Sequence, residues 1–111
     1  MERRYSDYSE KELRDEIARL TEKAQKAEQL GMVNEYAVHE RKIIMAKAYM
    51  MNPDDFSAGE TYEMDGDYEH TFYIQYMNGI FAWGYRKQQG QKVSTEEEAL
   101  PISMLGRQVQ E

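Results

Sequence analysis

His39-Glu40 is the first place to look for catalytic chemistry, because a helical H-E-x-x-H puts two imidazoles on one face to hold zinc and leaves the glutamate as general base. Position 43 is Ile, so the second ligand is missing. His70 is the other histidine, and a multi-histidine site would need symmetry or carboxylate ligands, so His39 reads as a helix-surface or seam residue. Asp65, Asp67 and Glu69 put carboxylates on alternate residues, a spacing that could attract calcium or magnesium. An EF-hand needs more oxygens and a glutamate at its twelfth position, and Asp and Gly favour turns for backbone reasons, so a solvated hairpin turn is expected here. Glu96-Glu97-Glu98 reads as a solvated approach to the last strand. The chain has no cysteine, which excludes disulfides, thiolate nucleophiles and Cys-based zinc sites. It also lacks G-x-S-x-G, a glycine-rich phosphate loop and a dinucleotide fingerprint. The expectation is a noncatalytic protein with no cofactor and no metal site.

Charge narrows the classes further. The 111 residues carry a net charge of −7. Up to Met51 ten basic residues balance ten acidic ones, whereas Asn52 to Glu111 holds four basic against eleven acidic, so the second half carries the whole excess. Such a surface repels phosphate backbones on average, which makes nucleic-acid or ribonucleoprotein association the secondary expectation. The start, MERRYSDYSE, has no apolar run ahead of a cleavage-like site, and no later run approaches bilayer-spanning length. A cytoplasmic protein with no membrane role is expected.

The elements that must position these residues begin with two helices. Ser9 and Glu12 form the S-x-x-E capping box, and Tyr8 and Leu13 occupy the staple positions, so a helix is predicted from Glu10. Leu13, Ile17, Leu20, Ala24 and Ala27 recur at 4-3-4-3 spacing and form one narrow seam. Gly31 is placed to stop this helix in the left-handed conformation. Asn34 is the expected cap of a second helix that runs to about Met51, ahead of Asn52-Pro53. Its seam is predicted at Val33, Ala37, Ile44, Ala48 and Met51, with Tyr36, Ile43 and Met45 flanking. The pair makes an antiparallel α-hairpin, residues 1–52, whose stripe must find another surface, and a homodimer through Leu13, Ile17 and Leu20 is one way to supply it.

Residues 53–111 read as strands. Gly59 to Met64 enters the first, and Asp65-Gly-Asp-Tyr-Glu turns the chain. Thr71 to Met77 and Ile80 to Arg86 then flank Asn78-Gly79, the strongest short-range hairpin signal. That turn pairs Met77 with Ile80, Tyr76 with Phe81, Ile74 with Trp83 and Phe72 with Tyr85. It gathers Phe72, Ile74, Tyr76, Phe81, Trp83 and Tyr85 on one face, which is predicted to be core. Lys87 to Glu98 is expected to be a mobile loop, Ala99 to Leu105 a last apolar piece, and the tail after Gly106 to fray. Several short antiparallel strands suggest an SH3-like barrel, so the predicted fold class is α+β, an antiparallel α-hairpin followed by a small SH3-like β-barrel.

Gly59-Glu-Thr-Tyr62, Tyr76-Met-Asn-Gly-Ile-Phe-Ala-Trp-Gly-Tyr-Arg86 and Glu98-Ala-Leu-Pro-Ile-Ser103, behind the Glu22-Lys-Ala-Gln-Lys-Ala-Glu28 helix, give the chain a resemblance. It resembles the YfhH family of small Bacillus-type proteins over nearly its whole length. The resemblance implies an α-hairpin joined to an SH3-like barrel, in a Gram-positive cytoplasmic protein of unassigned molecular function. No catalytic motif carries over, and no site residue is inherited.

What remains is an interaction module binding a protein partner. Aromatics and arginine are favoured anchors, so Tyr62, Tyr73, Trp83, Tyr85 and Arg86 are the candidate partner-binding residues, at the barrel rim beside the α-hairpin.

Overall fold

The computed structural model describes residues 3–93 and 95–110. The chain divides into two compact units, Met1–Met51 and Asn52–Glu111. Among the described residues no helix is long and apolar enough to cross a membrane.

In the first unit a 3₁₀ turn, Tyr5–Asp7, leads into α1, Glu10–Gln29. The predicted capping box closes: the Glu12 N–H donates to Ser9 Oγ at 3.1 Å, and the Ser9 N–H donates to Glu12 Oε1 at 3.0 Å. The other end is a Schellman motif. Gly31 takes φ +70°, its N–H donates to Glu28 O at 3.1 Å, and the Met32 N–H reaches Ala27 O at 2.8 Å.

Helix α2, Val33–Tyr49, starts earlier than the expected Asn34 cap. Met32 is its N-cap without a side-chain bond, and the Tyr36 N–H already donates to Met32 O at 2.9 Å. The Schellman turn reverses the chain so tightly that helix two begins one residue beyond it, and Asn34 falls inside the first turn. The seam of α1 is as predicted, with Leu13, Leu20, Ala24 and Ala27 buried. The seam of α2 is not. Of the predicted seam Ala48 is buried, but Val33 is 75% exposed and Ala37 is exposed, whereas Ile43 and Ala46, which lie outside it, are buried. Ile43 packs with Leu20 and Ala24, and Ile17 and Tyr36 close around them. Apolar side chains surround α2 on all sides, so periodicity singles out no face and the partner helix chooses one. Leu13 and Leu20 are covered within a single chain, so that stripe is not the open surface a homodimer would need.

The second unit begins with a 3₁₀ turn, Pro53–Asp55, whose Asp54 N–H donates to Asn52 Oδ1 at 3.0 Å. Six strands follow: β1 Thr61–Met64, β2 Asp67–Asn78, β3 Phe81–Gln88, β4 Gln91–Lys92, β5 Glu98–Pro101 and β6 Leu105–Val109. All pairings are antiparallel, in the order β4-β3-β2-β1-β6 with β5 also on β3. This sheet is open, so the SH3-like barrel expected from the sequence does not form. Closure requires an unbroken ladder around every strand. Here β5 pairs only β3 and β6 only β1, and between them the chain leaves the ladder at Pro101, which has no N–H, into the 3₁₀ turn Ile102–Met104. The Ile102 N–H is drawn instead to Ile80 O at 2.9 Å, and Ile102 is fully buried.

Two expected irregular stretches are strands. The tail after Gly106 pairs with β1 as part of β6, and the expected loop after Lys87 contains a second tight hairpin. Gln89 at φ +54° and Gly90 at +80° make the type I′ pattern that returns β4 along β3. Ser94 of that stretch lies outside the described residues.

The central hairpin departs from the predicted register twice. Asn78 pairs with Phe81, so Gly79-Ile80, not Asn78-Gly79, is the turn. Gly79 alone has positive φ, at +58°, which is the type II′ pattern, and Ile80 is buried. A β-bulge at Gln75 then shifts the ladder between Ile74 and Tyr76. Opposite it lies Gly84, where a Cβ would stand 1.8 Å from the Tyr73 carbonyl oxygen. No other residue type fits there without moving the backbone.

Candidate functional site

The bulge splits the predicted six-residue face in two. Phe72 and Ile74 lie with Ala82 and Gly84 on the buried side, joined by Tyr62, Met64, Leu100 and Leu105 from the other strands. Tyr73 and Tyr76, now displaced by the extra residue, face the same way as Trp83 and Tyr85 on the opposite side. An aromatic surface therefore stands apart from the core.

It is built from two cross-strand pairs. Tyr76 stacks on Trp83 with ring centroids 5.9 Å apart and planes within 4°. Tyr73 stands opposite Tyr85. Lys92, brought back by the second hairpin, holds its Nζ 3.9 Å from the Tyr85 centroid, and Lys87 places its Nζ 5.0 Å from the Tyr73 centroid. The two lysines are direct cross-strand neighbours, an unfavourable like-charge pairing. Each is balanced by lying over a different ring, where the negative π face attracts a cation. Tyr76 is 44% exposed, and Tyr73, Trp83, Tyr85 and Phe81 are half-buried. Flat rings flanked by cations can stack, form edge contacts and accept hydrogen bonds.

Three of the five anchors expected from the sequence, Tyr73, Trp83 and Tyr85, thus share one surface. Tyr62 does not. It is 5% exposed, packs on Phe56 at 5.1 Å and donates its hydroxyl to Glu60 at 2.9 Å. Burial and then that hydrogen bond push its phenol up to about 12, so it stays neutral.

Arg86 is also elsewhere, opposite Phe72. Its Nε and Nη2 donate to the Glu98 carboxylate at 2.9 and 3.1 Å, and its Nη1 donates to Asp67 at 2.9 Å. His70 Nδ1 lies 2.9 Å from both Asp67 oxygens, and because an ionised carboxylate only accepts, Nδ1 carries the proton. The His70 hydrogen bond, with help from the Glu69 N–H and the Arg86 charge, holds the Asp67 carboxyl below the usual aspartate range. This network joins β2, β3 and β5, and it occupies the guanidinium that was expected to anchor a partner. Asp67 and Glu98 therefore do structural work, rather than being solvated turn and approach residues. Among the described residues no group of three or more His, Asp or Glu could hold a metal ion.

Tyr76, Lys87 and Lys92 were not legible as site residues. The signal that could have found them is Gly84, a glycine in mid-strand, which marks a bulge or close backbone approach.

Comparison with known proteins covers almost the whole chain. A family described as protein of unknown function (DUF1811) matches residues 3–106. The uncharacterized protein YfhH of Bacillus subtilis (strain 168) is 58% identical over 105 residues, which span 95% of this chain and 96% of that protein.

Proposed function

The chain belongs to the DUF1811 family of proteins of unknown function, and from that premise we propose that it is a noncatalytic, cytoplasmic binding module engaging a protein partner through the aromatic face of its sheet. One observation carries this reading: Tyr73, Tyr76, Trp83 and Tyr85 are set on the side of β2 and β3 away from Phe72 and Ile74. Large rings left outside a core are the residues that dominate binding energy at interfaces. The helical unit offers a second apolar surface, with Leu30, Met32, Val33 and Val38 exposed around the turn between its helices.

The test is proximity labelling in the native host, followed by titration of the recovered protein against wild type and the Trp83→Ala/Tyr85→Ala double variant. Loss of two anchors should weaken binding by at least about 30-fold, with the far-UV spectrum preserved. An unchanged affinity removes this face from the proposal. The lysines beside the rings favour one second reading, a platform for single-stranded nucleic acid. It predicts low-salt binding of a labelled oligonucleotide that weakens steeply as salt is added, against the acidic balance of this half of the chain.

A further inference from the structure

We propose that the helical unit holds a second, unrelated site: a groove between the N-terminal 3₁₀ turn and α2 that binds a small phosphate-bearing ligand with a flat ring, of mononucleotide size. The groove is open to solvent and offers about 430 Å³, within the range of small-molecule sites. Its residues come from two short stretches. Tyr5 belongs to the 3₁₀ turn that lies against α2 and Arg4 immediately precedes it, while Arg41, Lys42, Met45 and Tyr49 lie on α2. Lys42, Met45 and Tyr49 follow i, i+3, i+7 spacing, which lines them along one helix stripe.

Three cations converge on this groove, and among the described residues no carboxylate lines it. That departs from the composition, since the helical half has as many acidic as basic residues. Arg4, Arg41 and Lys42 make no ion pair among the described residues, as is also true of Lys23, Lys26 and Lys47, but only at this groove do three such cations come together. The acid behind the groove is already committed. Glu16 accepts the Tyr5 hydroxyl on Oε2 at 3.0 Å and Arg19 on Oε1 at 2.6 Å, and Lys42 acts on it only through space. Tyr5 is thereby fixed as a wall. Burial and then the Glu16 bond push its phenol up to about 12, so it adds no negative charge.

Unneutralised guanidinium and ammonium groups select an anion, and arginine forks match phosphate oxygens in particular. Ser6, also at the groove, adds a hydroxyl donor. Half-buried Tyr5 and Tyr49, with Met45 beside them, supply surfaces for a ring. None of these residues belongs to the aromatic sheet face, so this site stands or falls independently of the partner-binding proposal.

The experiment is calorimetric titration of the full chain at low salt with ADP, pyrophosphate and adenosine. ADP should bind saturably at sub-millimolar concentration, pyrophosphate roughly tenfold more weakly, and adenosine without saturation. Arg41→Gln/Lys42→Gln should weaken ADP by at least about tenfold, while Lys23→Gln/Lys26→Gln, outside the groove, should leave it unchanged. Tyr49→Leu should weaken ADP and spare pyrophosphate. No saturable ADP binding up to about 5 mM, or equal losses in the two lysine-containing double variants, overturns the site. Pyrophosphate binding as tightly as ADP overturns the ring.

Discussion

In the helical hairpin, the bonds that define each end join near neighbours, whereas in the sheet they join residues far apart in the chain. Ser9 bonds Glu12, Gly31 bonds Glu28, and Met32 bonds Ala27. In the sheet, the bulge at Gln75 sits against Gly84, which leaves room for it, Ile80 is held by Ile102, and Asp67 and Glu98 meet through Arg86. The first kind of bond is specified by residue types inside a single turn. The second depends on which strand arrives opposite, so one glycine on β3 decides what four aromatics on two strands can do.

The largest test of this contrast is Gly84→Ala. Its methyl would need the space of the Tyr73 carbonyl, so the bulge must straighten or the strands part, at a cost of about 3 kcal/mol. Trp83 is the single tryptophan and lies in the sheet, so its fluorescence transition should move to lower denaturant by the shift that this free energy implies. The helical signal at 222 nm should respond less. An equal shift in both would show that the local and long-range regions unfold as one.

Ser9→Ala is the matched change at the local end. Removing the cap oxygen leaves the Glu12 N–H without its side-chain acceptor and should cost about 1 kcal/mol, read at 222 nm, with little change in Trp83 fluorescence. The contrast would blur if the tryptophan transition moved as far.

Asp67→Asn is the smallest effect: the variant lacks at neutral pH a contribution that wild type loses only in acid, so the two proteins converge as pH falls. A carboxyl whose folded value lies below its unfolded one stabilises the fold fully above the unfolded value, near ~3.9, and loses that contribution as pH falls through the folded value. Wild-type urea midpoints should therefore be flat, so far as Asp67 is concerned, from neutrality to about pH 4, then decline. The Asn variant should show a shallower acid decline. Equal slopes in the two proteins would show that the Arg86 network does not couple to folding.

The contrast also explains what could be read in advance. Both ends of α1 and its buried stripe were legible, because Ser9, Glu12, Gly31 and the 4-3-4-3 apolar spacing act within a few residues of one another. The face of α2 was not, because its apolar residues surround the axis and only contact with Leu20 and Ala24 selects Ile43. In the sheet, the strands on either side of Gly79 were legible, but their register was not. Asn-Gly signals a turn without saying which two residues occupy it, and burial of Ile80 moves the turn on by one. Of the five expected anchors, Tyr62 is in the core and Arg86 in an ion network, while Tyr73, Trp83 and Tyr85 stand together with an unforeseen Tyr76.

By itself, then, the sequence determined an α-hairpin followed by antiparallel strands and a strong concentration of aromatics around Gly79. Capping, helix periodicity and turn chemistry are local interactions and need no partner to be specified. Only the tertiary structure decided that the sheet stays open and that the aromatics divide between core and surface. A bulge, a register and a closed or unclosed ladder are properties of two strands together, and a one-residue slip moves every following side chain to the other face.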